Sequence, residues 1–391
     1  MFNVLETLTS AGFSAYLCGY GAIDSWLGRG GGSVRLLTNA DTAELAKLFE
    51  DLRYPGIDLA DAALDGKDQT WYFHCADSIA AFRPSCKLLQ FYQDCRSRTF
   101  HDPCGVYPLL AEIRRSIHTE TQININPLEI FREGNSLMDA ALILAKYFPV
   151  DSLTDRHIRE VAQLFPDCAV PAQEEQRLLL SELMLSPNPG LGLELLKASG
   201  FIGKFWHELA NLDQADHSKE FHPEGNAWKH TMETFRYRKT GAPNATKLPA
   251  HDLRLSLGLL LHDIGKPIAI SAGSRRYDGH AELGESQARR FLGRLGFSTS
   301  VSNDVCFLVR NHMLPAALPR LPLYRTAEIM ASPLFPVLLE LYRCDESSSF
   351  KGLDGYYESS AAYQSFLRNR RNPYRSADGK KLKQMSGAGV R

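Results

Sequence analysis

The sequence predicts an α+β protein. A small α/β head over residues 1–125 is followed by an all-α neck over 126–210, an all-α domain over 211–350, and a C-terminal helix with a basic tail over 351–391. Three observations predict it. Short strand-like runs alternate with helical spacing only up to about residue 125. From about Pro127 the apolar residues recur at helical intervals, with turn chemistry between the segments. Seven of the twelve histidines then fall between residues 211 and 350, within the second helical stretch.

In the head, Phe13–Gly19 (FSAYLCG) reads as a strand, and Trp71–His74 and Ile79–Phe82 as two more; Thr42–Leu52 has helical apolar spacing. The neck reads as four helices, Asn135–Phe148, Asp155–Phe165, Ala172–Leu185 and Leu191–Ser199, with Ser186-Pro187-Asn188-Pro189-Gly190 as the clearest break. Arg368–Arg391 carries eight Lys/Arg against one Asp and reads as a basic tail. There is no internal repeat.

A formal net charge of −1 with 44% hydrophobic and 23% charged residues gives no global signature of nucleic-acid or anionic-membrane binding. The apolar runs fall short of a membrane span and MFNVLETLTS lacks the basic start of a signal peptide, so the expected setting is cytoplasmic, with no membrane partner. The eight cysteines are single, with no CxxC, which argues against a zinc ribbon or dithiol motif and for reduced thiols.

Leu257–Pro267 (LGLLLHDIGKP) is the stretch with the most chemistry. An apolar helical run ends in His262 and Asp263, and Gly265 and Pro267 stop the helix. Neighbouring helical side chains lie about 100° apart, so both residues can lean toward one ion beside the helix end. A neutral imidazole with a carboxylate suits a hydrolytic divalent metal such as Mn, Fe, Zn or Mg. A second His-Asp pair, His251-Asp252, lies about 16 Å earlier along a helix; following Pro249-Ala250, it reads as a helix start.

Around this pair stand Asn226–Thr231, in which Asn226 can cap a helix carrying His230, then Asp278–Glu285 (DGHAELGE), Arg310-Asn311-His312, and Arg343-Cys344-Asp345. The order H…HD…H…H…D resembles the HD superfamily of metal-dependent phosphohydrolases, including its HDIG subclass and the HD domains fused to some CCA-adding enzymes. The resemblance implies His230, His262, Asp263 and Asp345 as ligands of one ion, Glu346 being the alternative to Asp345. It implies His280 and His312 as ligands of a second ion, with Asp263 bridging. One or two divalent ions (Mn, Fe, Ni, Mg or Zn) are expected. Asp263, Lys266 and Arg310 are the candidate catalytic residues; Lys266 is the first candidate to take up charge on a reacting phosphoryl group, and Arg275, Arg276 and Arg310 are weaker ones.

Tyr16–Arg29 (YLCGYGAIDSWLGR) resembles the head motif of bacterial CCA-adding enzymes and poly(A) polymerases, in which YLVGG-x-VRD-x-LLGR precedes a D-x-D pair and T-x-A. Asp24, Gly28, Arg29 and Thr38-Asn39-Ala40 match. Tyr20 and Ile23 depart from the pattern, and the D-x-D carboxylates fall at Ser33 and Arg35. Two-metal nucleotidyl transfer needs carboxylates to hold its cations, and an arginine brings the wrong charge. The family's arginine-rich helix would fall near Gly134–Tyr147, where there is no arginine. Gly30-Gly31-Gly32 is not followed by GK[ST], so it is not a phosphate loop. Ser181–Leu196 resembles that family's neck, and Ala377–Gly387 the start of its C-terminal element.

The resemblance implies a nucleotidyltransferase fold without its activity, joined to a working HD phosphohydrolase. Nucleotides, 2′,3′-cyclic phosphodiesters or RNA phosphate ends are its expected substrates. RNA could be held by the N-terminal domain and basic tail. The alternative is a non-catalytic RNA- or nucleotide-binding regulatory protein. Residual CCA addition would need other carboxylates, such as Asp41 or Asp68.

Overall fold

The computed structural model describes residues 4–371 except 30–31, 57, 59, 67–68, 85, 119–127, 129–130, 132–135, 167–169, 217–224, 239–251, 272, 274–276 and 350–351. The basic tail beyond Arg371, together with His251, Asp68, Arg275 and Arg276, lies outside the described residues. A sheet-containing head is followed by helices through to Arg370. The chain forms two compact units: residues 1–211, 238–257 and 289–303 in the first, and 212–237, 258–288 and 304–391 in the second.

The head is built on a six-stranded sheet: β1 (Tyr16–Cys18), β2 (Gly32–Thr38), β3 (Ala62–Asp65), β4 (Gln69–Cys75), β5 (Tyr92–Asp94) and β6 (Phe100–His101), in the order β3-β4-β2-β1-β5-β6. Only β2 and β4 pair in parallel; the other neighbours are antiparallel. Leu17, Leu36, Leu37, Tyr72 and Phe73 are buried along it. Gly19 makes the turn from β1 into helix Tyr20–Leu27 at φ +55°, where a Cβ would press on Leu89 at 2.8 Å. A left-handed residue in close contact requires glycine.

The expected strand at Ile79–Phe82 is instead a single 3₁₀ turn, Ile79–Ala81, closed by the Phe82 N–H on the Ile79 carbonyl at 3.1 Å. Two alanines in four residues give a strand little to pack, whereas the turn delivers Phe82 into a cluster with Cys18 and Leu37. The central strand β2 carries no clear strand signal, because its run, GSVRLLT, opens on glycine and carries a charge. That charge is buried. Arg35 pairs with the equally buried Glu182 of helix Gln173–Leu185 and donates to the Asp58 carbonyl at 2.9 Å. Asp24, a matching residue of the head motif, pairs with Lys146 at 3.1 Å. Two internal ion pairs thus neutralise the charges at this end of the sheet, and breaking either would strand a buried charge.

The neck helices are Leu137–Tyr147, Asp155–Ala162, Gln173–Leu185 and Pro189–Ala198, each within a few residues of its sequence-read span. Ser136 and Thr154 cap two of them by accepting the N–H of the third helical residue. In the first unit Arg177 also grips Asp58 with two hydrogen bonds, at 2.7 and 2.8 Å.

Seven cysteines are free thiols, Cys168 lying outside the described residues, and none of them joins a metal-ligand cluster. Burial pushes the Cys18 thiol up to about 12. The nucleophile is the thiolate, so Cys18 is expected to resist iodoacetamide at pH 8 in folded protein and to react in urea, as read by mass spectrometry.

Candidate metal centre

Five helices of the C-terminal half present six ligand-type side chains. Asn226 caps helix Ala227–Thr234 by accepting the Lys229 N–H at 3.0 Å, and the helix buries His230. Helix Leu253–Leu261 ends where expected, and the turn 262–265 holds buried His262 and Asp263. Pro267 sits in the first turn of the next helix, Lys266–Ser271, where its missing N–H costs nothing. His280 opens helix His280–Arg294, His312 follows helix Thr299–Asn311, and Asp345 lies near the end of helix Phe335–Ser347. All six residues lie in the second compact unit.

They converge as two triads, His230/His262/Asp345 and Asp263/His280/His312, with the ligand atoms of each triad within 4.8 Å of one another. Asp263 faces both: its Oδ2 is 3.4 Å from His262 Nε2 and its Oδ1 is 3.7 Å from His280 Nε2. Glu346 turns instead to the Tyr342 hydroxyl. The structure therefore brings Asp345, not its neighbour, into the cluster.

Three of the four imidazoles share one orientation. His262, His280 and His312 each direct Nδ1 at a backbone carbonyl three residues earlier (Leu259, Tyr277 and Val309), all at 2.8 Å. A carbonyl only accepts, so Nδ1 carries the proton and Nε2 is left as a lone pair in the neutral ring. Burial keeps His280 below the ordinary histidine value, and burial with the nearby His262 takes His312 down to about 4. These two rings are therefore neutral near pH 7. Their Nε2 lone pairs nonetheless face each other at 3.1 Å. His262 Nε2 is buried with no hydrogen-bond partner. Opposed lone pairs and an orphaned buried acceptor are costly unless a cation receives them. The residues thus fit a divalent ion, and four imidazoles with two carboxylates suit Mn, Fe, Ni or Zn.

Burial opposes ionisation of Asp345, but the 2.8 Å contact with His230 Nε2 outweighs it and holds the carboxyl well below its usual range. Lys266 sits on Asp263 Oδ2 at 2.6 Å, with its ammonium 5.6 Å from the Tyr277 ring centre. Arg310 lies outside the triads, half-exposed and 3.5 Å from both Glu282 and Glu285. Asp252 of the second His-Asp pair accepts the Arg254 and Leu255 N–H groups at the start of helix Leu253–Leu261, a capping role. Two further residues have no sequence signal. Ser348 reaches His230, and Tyr277, at φ +57°, supplies the carbonyl that orients His280.

Residues 228–333 match the HD domain family. The chain is homologous to tRNA nucleotidyltransferases. It is 36% identical over 162 residues to the CC-adding tRNA nucleotidyltransferase of Thermus thermophilus, covering 40% of this chain and 35% of that protein. It is 27% identical over 262 residues to the A-adding tRNA nucleotidyltransferase of Deinococcus radiodurans, covering 64% and 56%. A bifunctional uridylyltransferase/uridylyl-removing enzyme of Mycobacterium tuberculosis is 31% identical over 161 residues, covering 40% of this chain and 18% of that protein. The chain thus spans from under a fifth to just over half of the length of these relatives. Among solved structures, a Bacillus stearothermophilus CCA-adding enzyme in complex with CTP aligns over 93% of this chain and 81% of its own, at 16% identity and a TM-score of 0.38.

Proposed function

We propose that the chain is a divalent-metal-dependent phosphohydrolase acting on nucleotides, 2′,3′-cyclic phosphodiesters or RNA phosphate ends. The observation that carries this reading is the set of Nε2 lone pairs at the centre of six convergent ligands: His262 unpartnered, His280 and His312 opposed. His230, His262 and Asp345 would hold one ion, His280 and His312 a second, with Asp263 shared. A divalent ion there supplies Lewis acidity and a hydroxide nucleophile at neutral pH. The protein's own part is to keep His280 and His312 neutral, fix the tautomers of His262, His280 and His312 through backbone carbonyls, and orient the shared carboxylate through Lys266. The Lys266 ammonium also puts positive charge beside a phosphoryl group bound at the cluster. Half-exposed and flanked by Glu282 and Glu285, Arg310 would serve at most at the rim.

Nucleotide and RNA substrates follow from the relatives, which are named for acting on tRNA, and the uridylyl-removing relative is named for a removal step. In this reading the head binds a nucleotide or RNA rather than extending it. The burial of Arg35 against Glu182, at the position where the resemblance calls for a metal-binding carboxylate, supports that role. It equally favours the second reading, an RNA- or nucleotide-binding regulator without catalysis. The expected setting is the cytoplasm; no described helix is long and apolar enough to cross a membrane.

Hydrolysis of bis(p-nitrophenyl) phosphate and of 2′,3′-cyclic AMP with Mn, Ni or Mg separates the two readings. Turnover that chelation abolishes and added metal restores is the expected result. No turnover with any of these metals, alongside salt-dependent RNA binding, would favour the regulator. Labelled CTP or ATP passing into tRNA would overturn the view of the head.

A further inference from the structure

His262, His280 and His312 are each oriented by a backbone carbonyl three residues earlier, and His230 meets a side chain. Its Nδ1 faces a side chain on a distant element, the Ser348 hydroxyl, at 3.3 Å. Ser348 is buried at the C-terminal end of helix Phe335–Ser347, three residues after Asp345. Its hydroxyl proton is committed, because Oγ donates to the Asp345 carbonyl at 2.6 Å. Toward His230 the oxygen can then only accept, which requires a proton on Nδ1; Nε2 meets the Asp345 carboxylate at 2.8 Å, a contact that needs a proton on Nε2 in the metal-free chain and whose proton a metal ion would replace.

We infer that Ser348 is a positioning residue that sets the tautomer and ring orientation of His230 for metal ligation, and that it couples His230 to the helix end carrying Asp345. The inference rests on the metal reading proposed above and deepens it. One hydroxyl serves both remote ligands of the first triad: it holds the histidine ring and ties down the backbone of the aspartate. The second triad, Asp263/His280/His312, makes no use of Ser348. The strength of such outer contacts is known in general terms, since removing the group that orients a ligating histidine costs about 10- to 100-fold in metal affinity.

The test is titration of Mn²⁺ into chelator-stripped wild type, Ser348→Ala and Ser348→Thr, followed calorimetrically, with thermal unfolding of each metal-free protein. Ser348→Ala is expected to weaken Mn²⁺ binding about 10-fold or more, while Ser348→Thr, which keeps the hydroxyl, stays near wild type. A residue that merely finished the helix would lower the metal-free unfolding temperature and leave the affinity alone. Equal Mn²⁺ affinity in wild type and Ser348→Ala overturns this inference and leaves the metal reading standing. Wild type that takes up no Mn²⁺ overturns both. A measurement on wild type makes the test independent of either variant's folding: ¹⁵N-histidine NMR of Zn²⁺-loaded protein should show His230 bound through Nε2 with its proton on Nδ1, and binding through Nδ1 would contradict the inference.

Discussion

His262→Ala and Asp263→Ala are each expected to abolish metal-dependent hydrolysis, lowering kcat/KM on the order of 10²-fold or more, the scale of several kcal/mol of charge stabilisation. The reasons differ. His262 brings an unpartnered, fully buried Nε2 to the first triad, and no neighbour can replace it. Asp263 faces both triads and also anchors Lys266, so its loss leaves an ammonium and the opposed His280 and His312 without their shared anion. Asp263→Ala should therefore reduce bound metal at both triads, whereas His262→Ala should affect the first more than the second. His251→Ala is the control: its neighbour Asp252 caps a helix, and activity should be unchanged. If His251→Ala were the inactive variant, the choice between the two His-Asp pairs would be wrong.

Gly265→Ala is expected to be the most damaging of the small substitutions. A Cβ at 265 would overlap the His280 carbonyl oxygen and lie 2.5 Å from the Gly284 nitrogen. Both are backbone atoms of one helix, so no rotamer change relieves the clash. The turn carrying His262 and Asp263 and the helix carrying His280 would have to separate. Overpacking of a tight core costs about 1–3 kcal/mol and more when backbone must move, so a loss of about 3 kcal/mol or more is expected, read from urea unfolding. The damage should extend to the metal, with Mn²⁺ bound more weakly even where the variant stays folded. Gly293→Ala, further along that helix with nothing within 4 Å of its Cβ, is the matched control and should be neutral or slightly stabilising. Equal stability of the two variants would contradict the close approach of turn and helix.

These expectations show which parts of the site can be read from a sequence. His262 and Asp263 announce themselves because an apolar helix run ends in two ligand types and a glycine, all local features. The other four ligands lie up to 83 positions away, and it was their order, through the resemblance to HD domains, that pointed to them. Ser348 and the Tyr277 carbonyl carry no such mark: a serine at a helix end is ordinary, and its contact with His230 exists only in three dimensions. Gly265 was legible as a helix stop, but its larger task, admitting the backbone of His280, depends on a neighbour 15 residues on. In the head, β2 is not legible because Arg35 reads as surface. Its burial depends on Glu182, 147 residues later. The neck helices are legible because helical spacing and caps are local, whereas four apolar residues such as Ile79–Phe82 suit a strand or a turn equally.

Metal content of the protein as purified, by inductively coupled plasma mass spectrometry, decides most directly whether these six side chains form a divalent-metal site. One or two divalent ions per chain are expected, lost together in a variant carrying His262→Ala and Asp263→Ala, and restored to chelator-stripped wild type by added Mn²⁺. A chain that emerges without metal and takes up none when Mn²⁺, Ni²⁺, Zn²⁺ or Fe²⁺ is supplied would contradict it.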